Sequence, residues 1–298
     1  MNKETGFKSG YAGIVGKPNV GKSTLLNQLV AKKIAAISNK PQTTRNKITG
    51  VVHFPGGQII LLDTPGIHKA SSKLNRALVK TSRATFNDVD LILFMIDAKQ
   101  GFCESDGYAL DLLKRAKPPK MLIINKIDLV AKPGLLKLID EMSRKSAFVE
   151  IVPVSALNSD GLDILTGAIC RHLPEGPKYF PEDMVTDCTE RFLIGEIIRE
   201  KILNRTRMEV PHATAVVVDD MQERPNGTLA IEATIYIEKT SQKKILIGEK
   251  GAMLKRIGTD ARKEIEKRFA DKVYLNLFIK VKSRWREDIR YLKEFGYS

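Results

Sequence analysis

Residues 16–23 read Gly16-Lys17-Pro18-Asn19-Val20-Gly21-Lys22-Ser23, two glycines framing four residues and followed by lysine and a hydroxyl. That spacing suits a loop whose main-chain N–H groups close around phosphate oxygens, with a helix N-terminus adding the positive end of its dipole. Lys22 would span the two outer phosphates of a triphosphate, and the Ser23 hydroxyl would ligate Mg²⁺. The pattern gains force from its setting. The apolar run Tyr11-Ala12-Gly13-Ile14-Val15 precedes it, and a helical pattern with Leu25, Leu26, Leu29 and Val30 on one face follows.

Three further groups close apolar runs downstream. Asp63-Thr64-Pro65-Gly66 places a carboxylate where it reaches Mg²⁺ through a water, and a glycine N–H where it meets a terminal phosphate. Asn125-Lys126-Ile127-Asp128 selects the base. A carboxylate accepts two hydrogen bonds from the ring N–H and amine of guanine, whereas adenine would leave it unpaired, and such sites reject the wrong partner by roughly 10⁴–10⁵. Asn125 would tie this loop to the phosphate loop, and the Lys126 stem would lie over the base. Ser155-Ala156 then offers a backbone N–H to the guanine oxygen. Each group alone is a weak signal; their order along one chain is not.

The elements that must position these residues are legible too. Ile59–Leu62, Leu91–Ile96, Met121–Ile124 and Ile151–Val154 are short apolar runs, as strands buried on both faces require. Amphipathic stretches at 23–32, 74–86, 106–116, 134–145 and 161–172 alternate with them, and residues 51–60 read as an antiparallel hairpin around Pro55-Gly56-Gly57. The expected fold is α/β, a doubly wound domain over residues 1–173. Leu173–Pro181 carries three prolines and a glycine in nine residues, a linker signature that places the linker at 174–188. Beyond it the order becomes helix, strand, strand, two helices and strand, a smaller α+β domain over 189–283, with a basic tail at 284–298.

At the centre of that second half lies Ile247-Gly248-Glu249-Lys250-Gly251, between two helical segments. Two glycines let such a loop approach a nucleic-acid backbone, and Lys250 offers charge to a phosphate. Ile247 and Ile257 are expected on the groove floor. Lys239, Lys243, Lys244, Lys255, Arg256, Arg262 and Lys263 surround the loop. The charge is localised: the chain carries +14 overall, but residues 181–238 hold 12 acidic against 6 basic side chains and the last sixty hold 17 basic against 8 acidic. A polyanion surface produces this pattern, and anionic lipid would be drawn to the same patch. No apolar run reaches the roughly 20 residues of a membrane-spanning helix. The N-terminus lacks a secretory pattern, and three scattered cysteines indicate neither a disulfide framework nor a zinc site, as in a cytoplasmic protein.

Residues 10–173 resemble the small GTPases of the translation-factor-related class. Within it, Pro41-Gln42-Thr43-Thr44-Arg45 is similar to switch I of the Era group. The order α-β-β-α-α-β around Gly248–Gly251 resembles a type II KH domain, so the likeness to that group extends from about residue 8 to 295. The resemblance implies GTP hydrolysis to GDP with Thr44 as the Mg²⁺ and γ-phosphate ligand. The metal set is then Ser23, Thr44 and Asp63, and the catalytic set is Lys22, Thr44, Gly66 and Ile67. Ile67 stands where many GTPases have the glutamine that orients water, so hydrolysis is expected to be slow, with water aligned by backbone around Gly66 and Ile67. Asn19 matches an asparagine with which some relatives hold potassium. The RNA set is Ile247, Gly248, Glu249, Lys250, Gly251, Lys255 and Arg256. The partners implied are 16S ribosomal RNA near its 3′ end and the 30S subunit during assembly, with peripheral contact to anionic membrane, for a monomer. The alternative is a GTP-dependent membrane-surface or protein-interaction switch whose KH-like fold does not bind RNA. A missing or acidic loop would favour it, and the loop here keeps its lysine.

Overall fold

Continuous apolar runs need cover on both faces. The computed structural model, which describes residues 6–68, 72–269 and 272–297, gives it to them in one six-stranded sheet. The strands are β1 (Lys8–Val15), β2 (Ile48–Phe54), β3 (Gly57–Asp63), β4 (Leu91–Asp97), β5 (Lys120–Asn125) and β6 (Ile151–Val154). Their order is β2-β3-β1-β4-β5-β6, parallel except that β2 runs antiparallel to β3, as the hairpin reading requires. The connections carry α1 (Lys22–Leu29), α2 (Lys73–Thr85), α3 (Glu104–Leu113), α4 (Lys132–Lys145) and α5 (Leu162–His172). Every residue of β3 and β4 is buried. Removing a large apolar side chain such as Phe94 from water contributes about 1.5–3 kcal/mol, which explains why these runs contain no alternation. Register then sets function. Ile14 pairs with Asp63, Val15 with Phe94 and Asp97 with Asn125, so every motif leaves the sheet at the carboxyl end of its strand. Ligands of open α/β sheets bind along that edge.

The proline-rich stretch after α5 is not a bare tether. Gly176 donates to Phe7, the Tyr179 and Phe180 N–H groups donate to the Gln58 side chain, and Val51 N–H donates to the Val185 carbonyl at 2.9 Å. It follows the sheet as an irregular segment because proline has no N–H to give to a helix interior or a strand ladder but keeps its carbonyl to accept, as Pro174 does from the Ser9 N–H at 3.1 Å.

Described residues 6–35, 44–68 and 76–187 cluster as one compact unit; described residues 36–43, 72–75, 188–269 and 272–297 cluster as a second. In the second, α6 (Glu190–Arg205) opens on Thr189, whose hydroxyl accepts the Phe192 N–H. Its residues Ile194, Ile197, Ile198 and Ile202 repeat at helical spacing and are buried against the sheet's inner face. Strands β7 (Ala215–Glu223), β8 (Thr228–Ile237) and β9 (Lys272–Val281) follow the order 7-8-9, antiparallel and then parallel. Helices α7 (Thr240–Ile247) and α8 (Ala252–Phe269) form the crossover from β8 to β9, completing α-β-β-α-α-β.

The segment read as a basic tail is part of this core. Trp285 is fully buried and donates through Nε1 to the Ala213 carbonyl at 2.9 Å, while Phe295 and Tyr297 pack on its ring. Replacing Trp285 by Phe should remove that bond and leave the carbonyl unsatisfied, costing about 1–3 kcal/mol. A urea titration followed by circular dichroism would read the change as a lower midpoint.

Candidate nucleotide site and nucleic-acid groove

The phosphate loop is shaped by packing as much as by its glycines. Gly21 has φ +106°, and a Cβ there would lie 2.3 Å from the Asn125 side chain, so only glycine fits. Gly16, Lys17 and Val20 are buried around it, Pro18 is half-buried and Asn19 is exposed. Lys22 is 6% exposed, and its ammonium donates to the Lys17 carbonyl at 3.0 Å and the Gly16 carbonyl at 3.3 Å, folded back across the loop. Burial pushes its pKa down, an effect the nearby Asp63 carboxylate partly offsets. For Asp63, burial raises the pKa against the pull of Lys22 and the Ser23 and Thr44 hydroxyls.

Three side chains with oxygen donors converge at that point. Ser23 Oγ donates to Asp63 Oδ2 at 2.6 Å, and Thr44 Oγ1 lies 2.6 Å from Ser23 Oγ and 3.3 Å from Asp63 Oδ2. Asp63 Oδ1 is buried without a hydrogen-bond partner. Hydroxyls and a carboxylate with an orphaned oxygen are the donors a hard cation such as Mg²⁺ takes, so the residues fit it. The adjoining segment is tightly held: Thr64 donates to the Ile14 carbonyl at 2.8 Å, and Ser82 donates to the Pro65 carbonyl at 2.8 Å. Ile67 departs from expectation. Its side chain is fully buried in the core and its N–H donates to the Gly16 carbonyl at 3.0 Å, so in this conformation it aligns no water. Gly66 remains, its carbonyl accepting from or facing His68 Nδ1 at 2.9 Å.

The base end is built by cross-links between strand ends. Asn125 donates through Nδ2 to the Val20 carbonyl at 2.7 Å, tying the two loops together as expected. Its Oδ1 accepts the Ala156 N–H at 2.9 Å, and the Ser155 N–H is taken by Asp160 at 2.9 Å. The donor expected from Ser155-Ala156 toward a guanine oxygen is therefore occupied by protein in this conformation. Ser155 instead steadies Asp128, donating through Oγ to Oδ1 at 2.5 Å, and leaves that carboxylate exposed beside half-buried Ile127. Lys126 donates to the Asn19 carbonyl at 2.9 Å and to Asp97 at 2.6 Å. Sequence reasoning missed Asp97, although an acid closing the apolar run of β4 was the available signal. It also missed the buried pair of Lys17 with Asp106 at 2.8 Å. Burial opposes the charge on Lys17, but Asp106 and Cys103 outweigh it and hold its pKa up.

In the second unit the loop between α7 and α8 has a backbone that few residues adopt. Gly248 has φ 71° and ψ −179°, and a Cβ there would come within 2.9 Å of the Met253 amide nitrogen. Glu249 and Lys250 are exposed at the tip, Gly251 closes the turn, and Lys255 and Arg256 are exposed on the first turns of α8. Beside them runs a groove of about 400 Å³ between α8 and β9, walled by Leu254, Lys255, Gly258, Arg262, Leu275 and Leu277. Ile247 and Ile257 are not among its walls: Ile247 is half-buried and Ile257 lies wholly within the core. The floor comes instead from Leu275 and Leu277, which the alternation of β9 places on one face.

A phosphate loop, a metal-fitting oxygen cluster and an Asn-Lys-x-Asp loop at one sheet edge define a P-loop GTPase, here carrying a KH module. Family models agree: residues 11–126 match the 50S ribosome-binding GTPase family and residues 209–286 match the KH domain. The chain is 50% identical to the GTPase Era of Geotalea uraniireducens over 99% of each chain, and 48% identical to that of Lactobacillus helveticus over 99% of this chain and 98% of the other. It belongs to the GTPase Era family, and it is a GTPase. Among solved structures, Era in complex with MgGDPNP and nucleotides 1506–1542 of 16S ribosomal RNA superposes with a TM-score of 0.95, at 42% identity, covering 98% of this chain and 99% of that one. An Aquifex aeolicus Era variant bound to GDP and AlF₄⁻ gives 0.94 at 42% identity, with the same coverage. No helix among the described residues is long and apolar enough to cross a membrane.

Proposed function

We propose that this chain is a GTP-hydrolysing switch that binds the 3′ region of 16S ribosomal RNA and acts in the cytoplasm during 30S subunit assembly. One observation carries the reading: the structure of Era in complex with MgGDPNP and nucleotides 1506–1542 of 16S ribosomal RNA shares this fold at a TM-score of 0.95, over 98% of this chain and 99% of that one. Lys22 bears on the outer phosphates once GTP draws it away from the Gly16 and Lys17 carbonyls. Ser23, Thr44 and Asp63 hold Mg²⁺, which neutralises charge developing on the phosphates. Asp128 reads guanine. Water is kept in line by the backbone at Gly66 rather than by a side chain, which makes turnover slow. Gly248–Gly251 and the groove beside it take single-stranded RNA, phosphates toward Lys250, Lys255 and Arg256 and bases toward the leucine floor.

The test is binding of an RNA spanning the 3′ end of 16S rRNA in the presence of Mg²⁺ and a non-hydrolysable GTP analogue. Tight binding of that RNA, and weak binding of a scrambled one, is expected. Equal affinity for both would sink the assignment of the RNA.

Potassium enters through Asn19, which sits in the left-handed region at φ 64° with its carbonyl accepting Lys126. Hydrolysis should run faster in K⁺ than in Na⁺ at matched ionic strength, and Asn19→Ala should abolish the difference. Identical rates in the two salts would remove the ion from the mechanism and leave the rest standing.

A further inference from the structure

The residues just before Thr44 are gripped by one helix of the second unit, and the grip is built from buried charge. Arg199, on α6, is 1% exposed. Its guanidinium donates to both Glu196 oxygens, at 2.7 and 2.5 Å, and it also donates to the Thr43 carbonyl and, at 3.5 Å, to that of Gln42. The next residue, Glu200, accepts the Ile37 N–H at 2.9 Å. Lys40 completes the grip by donating to the Leu203 and Thr206 carbonyls at the end of α6, where helix carbonyls lack partners. Thr43 Oγ1 closes the segment on itself through the Lys40 carbonyl at 2.6 Å, and Gln42 is held at φ 62°.

Burial works against the charge on Arg199, but Glu196 outweighs it and keeps the pKa raised. A guanidinium anchored by a carboxylate presents its other N–H groups in a fixed fork. Here the fork meets the last carbonyl before the hydroxyl that lies 2.6 Å from Ser23 Oγ. Fixing a residue's backbone in advance removes ordering cost from whatever it later binds.

We propose that Arg199, oriented by Glu196, is a positioning residue for the GTP state: it fixes the Thr43 carbonyl and so aims Thr44. The inference rests on the reading of Thr44 as Mg²⁺ and γ-phosphate ligand. GDP lacks the γ-phosphate, so the consequence is selective. Loss of the fork weakens GTP binding and leaves GDP binding alone.

The test uses the full chain with Mg²⁺ and compares affinities for a non-hydrolysable GTP analogue and for GDP. Arg199→Lys keeps a charge for Glu196 but cannot also reach the carbonyls. The double change Arg199→Gln with Glu196→Gln removes both charges and guards against a variant that fails for want of a buried partner. Trp285 fluorescence confirms folding, and Thr44→Ala is the control. Arg199→Lys should lower affinity for the GTP analogue about tenfold, within the usual range of coupling between sites, with GDP affinity within about twofold. An equal loss for both nucleotides, or no loss for either in both folded variants, overturns the inference. If Thr44→Ala itself fails to separate GTP from GDP, the reading of Thr44 falls and the inference falls with it. If Thr44→Ala separates them and the Arg199 variants do not, only the positioning role is lost.

Discussion

Changing Asp128 to asparagine is expected to turn this GTPase toward xanthosine triphosphate. The carboxylate is exposed at a strand end, and Ser155 holds one of its oxygens at 2.5 Å, so its direction is set before the base arrives. Guanine presents two donors to it. An asparagine in the same rotamer turns an N–H₂ toward the guanine amine, so one hydrogen bond becomes a clash of donors. Xanthine carries a carbonyl in place of that amine and pairs with asparagine on both atoms. GTP affinity should fall by about two to three orders of magnitude, roughly 3–4 kcal/mol, while XTP gains by a similar factor. Competition binding with GTP, XTP and ATP measures it. Tight ATP binding by the parent would overturn the guanine assignment. Ser155→Ala should have a much smaller effect, since it removes the brace and leaves the reader.

What the sequence made legible follows from which contacts are local. The phosphate loop, the strand-end acids and the loop Gly248–Gly251 are stretches of four to eight residues whose spacing alone encodes their geometry. Apolar runs located the strands, because β3 and β4 are buried at every position. Most of the misreadings involve partners far apart in the chain. Nothing in Ser155-Ala156 announces that its N–H groups will be claimed by Asn125 and Asp160. Ile67 looks like a substituted catalytic position until the core around Phe94 and Leu62 is seen to enclose it. Ile257 and Leu254 are both apolar on α8, and only the placement of β9 decides which one faces the core and which lines the groove. The grip of Arg199 on Thr43 spans 156 positions, beyond the reach of any periodicity.

The RNA prediction separates loop geometry from general charge. Changing Glu249 and Lys250 together to aspartate removes the one cation at the loop tip and sets two carboxylates against phosphate. Both side chains are exposed, so the second unit should fold unchanged, with Trp285 still buried. Affinity for the 3′ fragment of 16S rRNA should fall about a hundredfold, roughly the worth of a lost charge-assisted contact plus repulsion, while GTP affinity stays at the parent's value. Gly248→Ala should have a similar effect for a different reason: at φ 71° and ψ −179° a Cβ meets the start of α8, so the loop must move away from the backbone it is shaped to touch. The arginines near the C-terminus offer the contrast. Arg286 is paired with Glu238 at 2.5 Å and Arg290 with Asp288 at 3.0 Å, so reversing them disturbs existing pairs and should weaken RNA binding less. Binding measured across a range of salt distinguishes the two, since each lost phosphate contact flattens the salt dependence by about one unit. If the doubly substituted loop bound the fragment as tightly as the parent, Gly248–Gly251 would be a connector between helices. The groove between α8 and β9 would then have to hold the RNA through Lys255, Arg256 and Arg262.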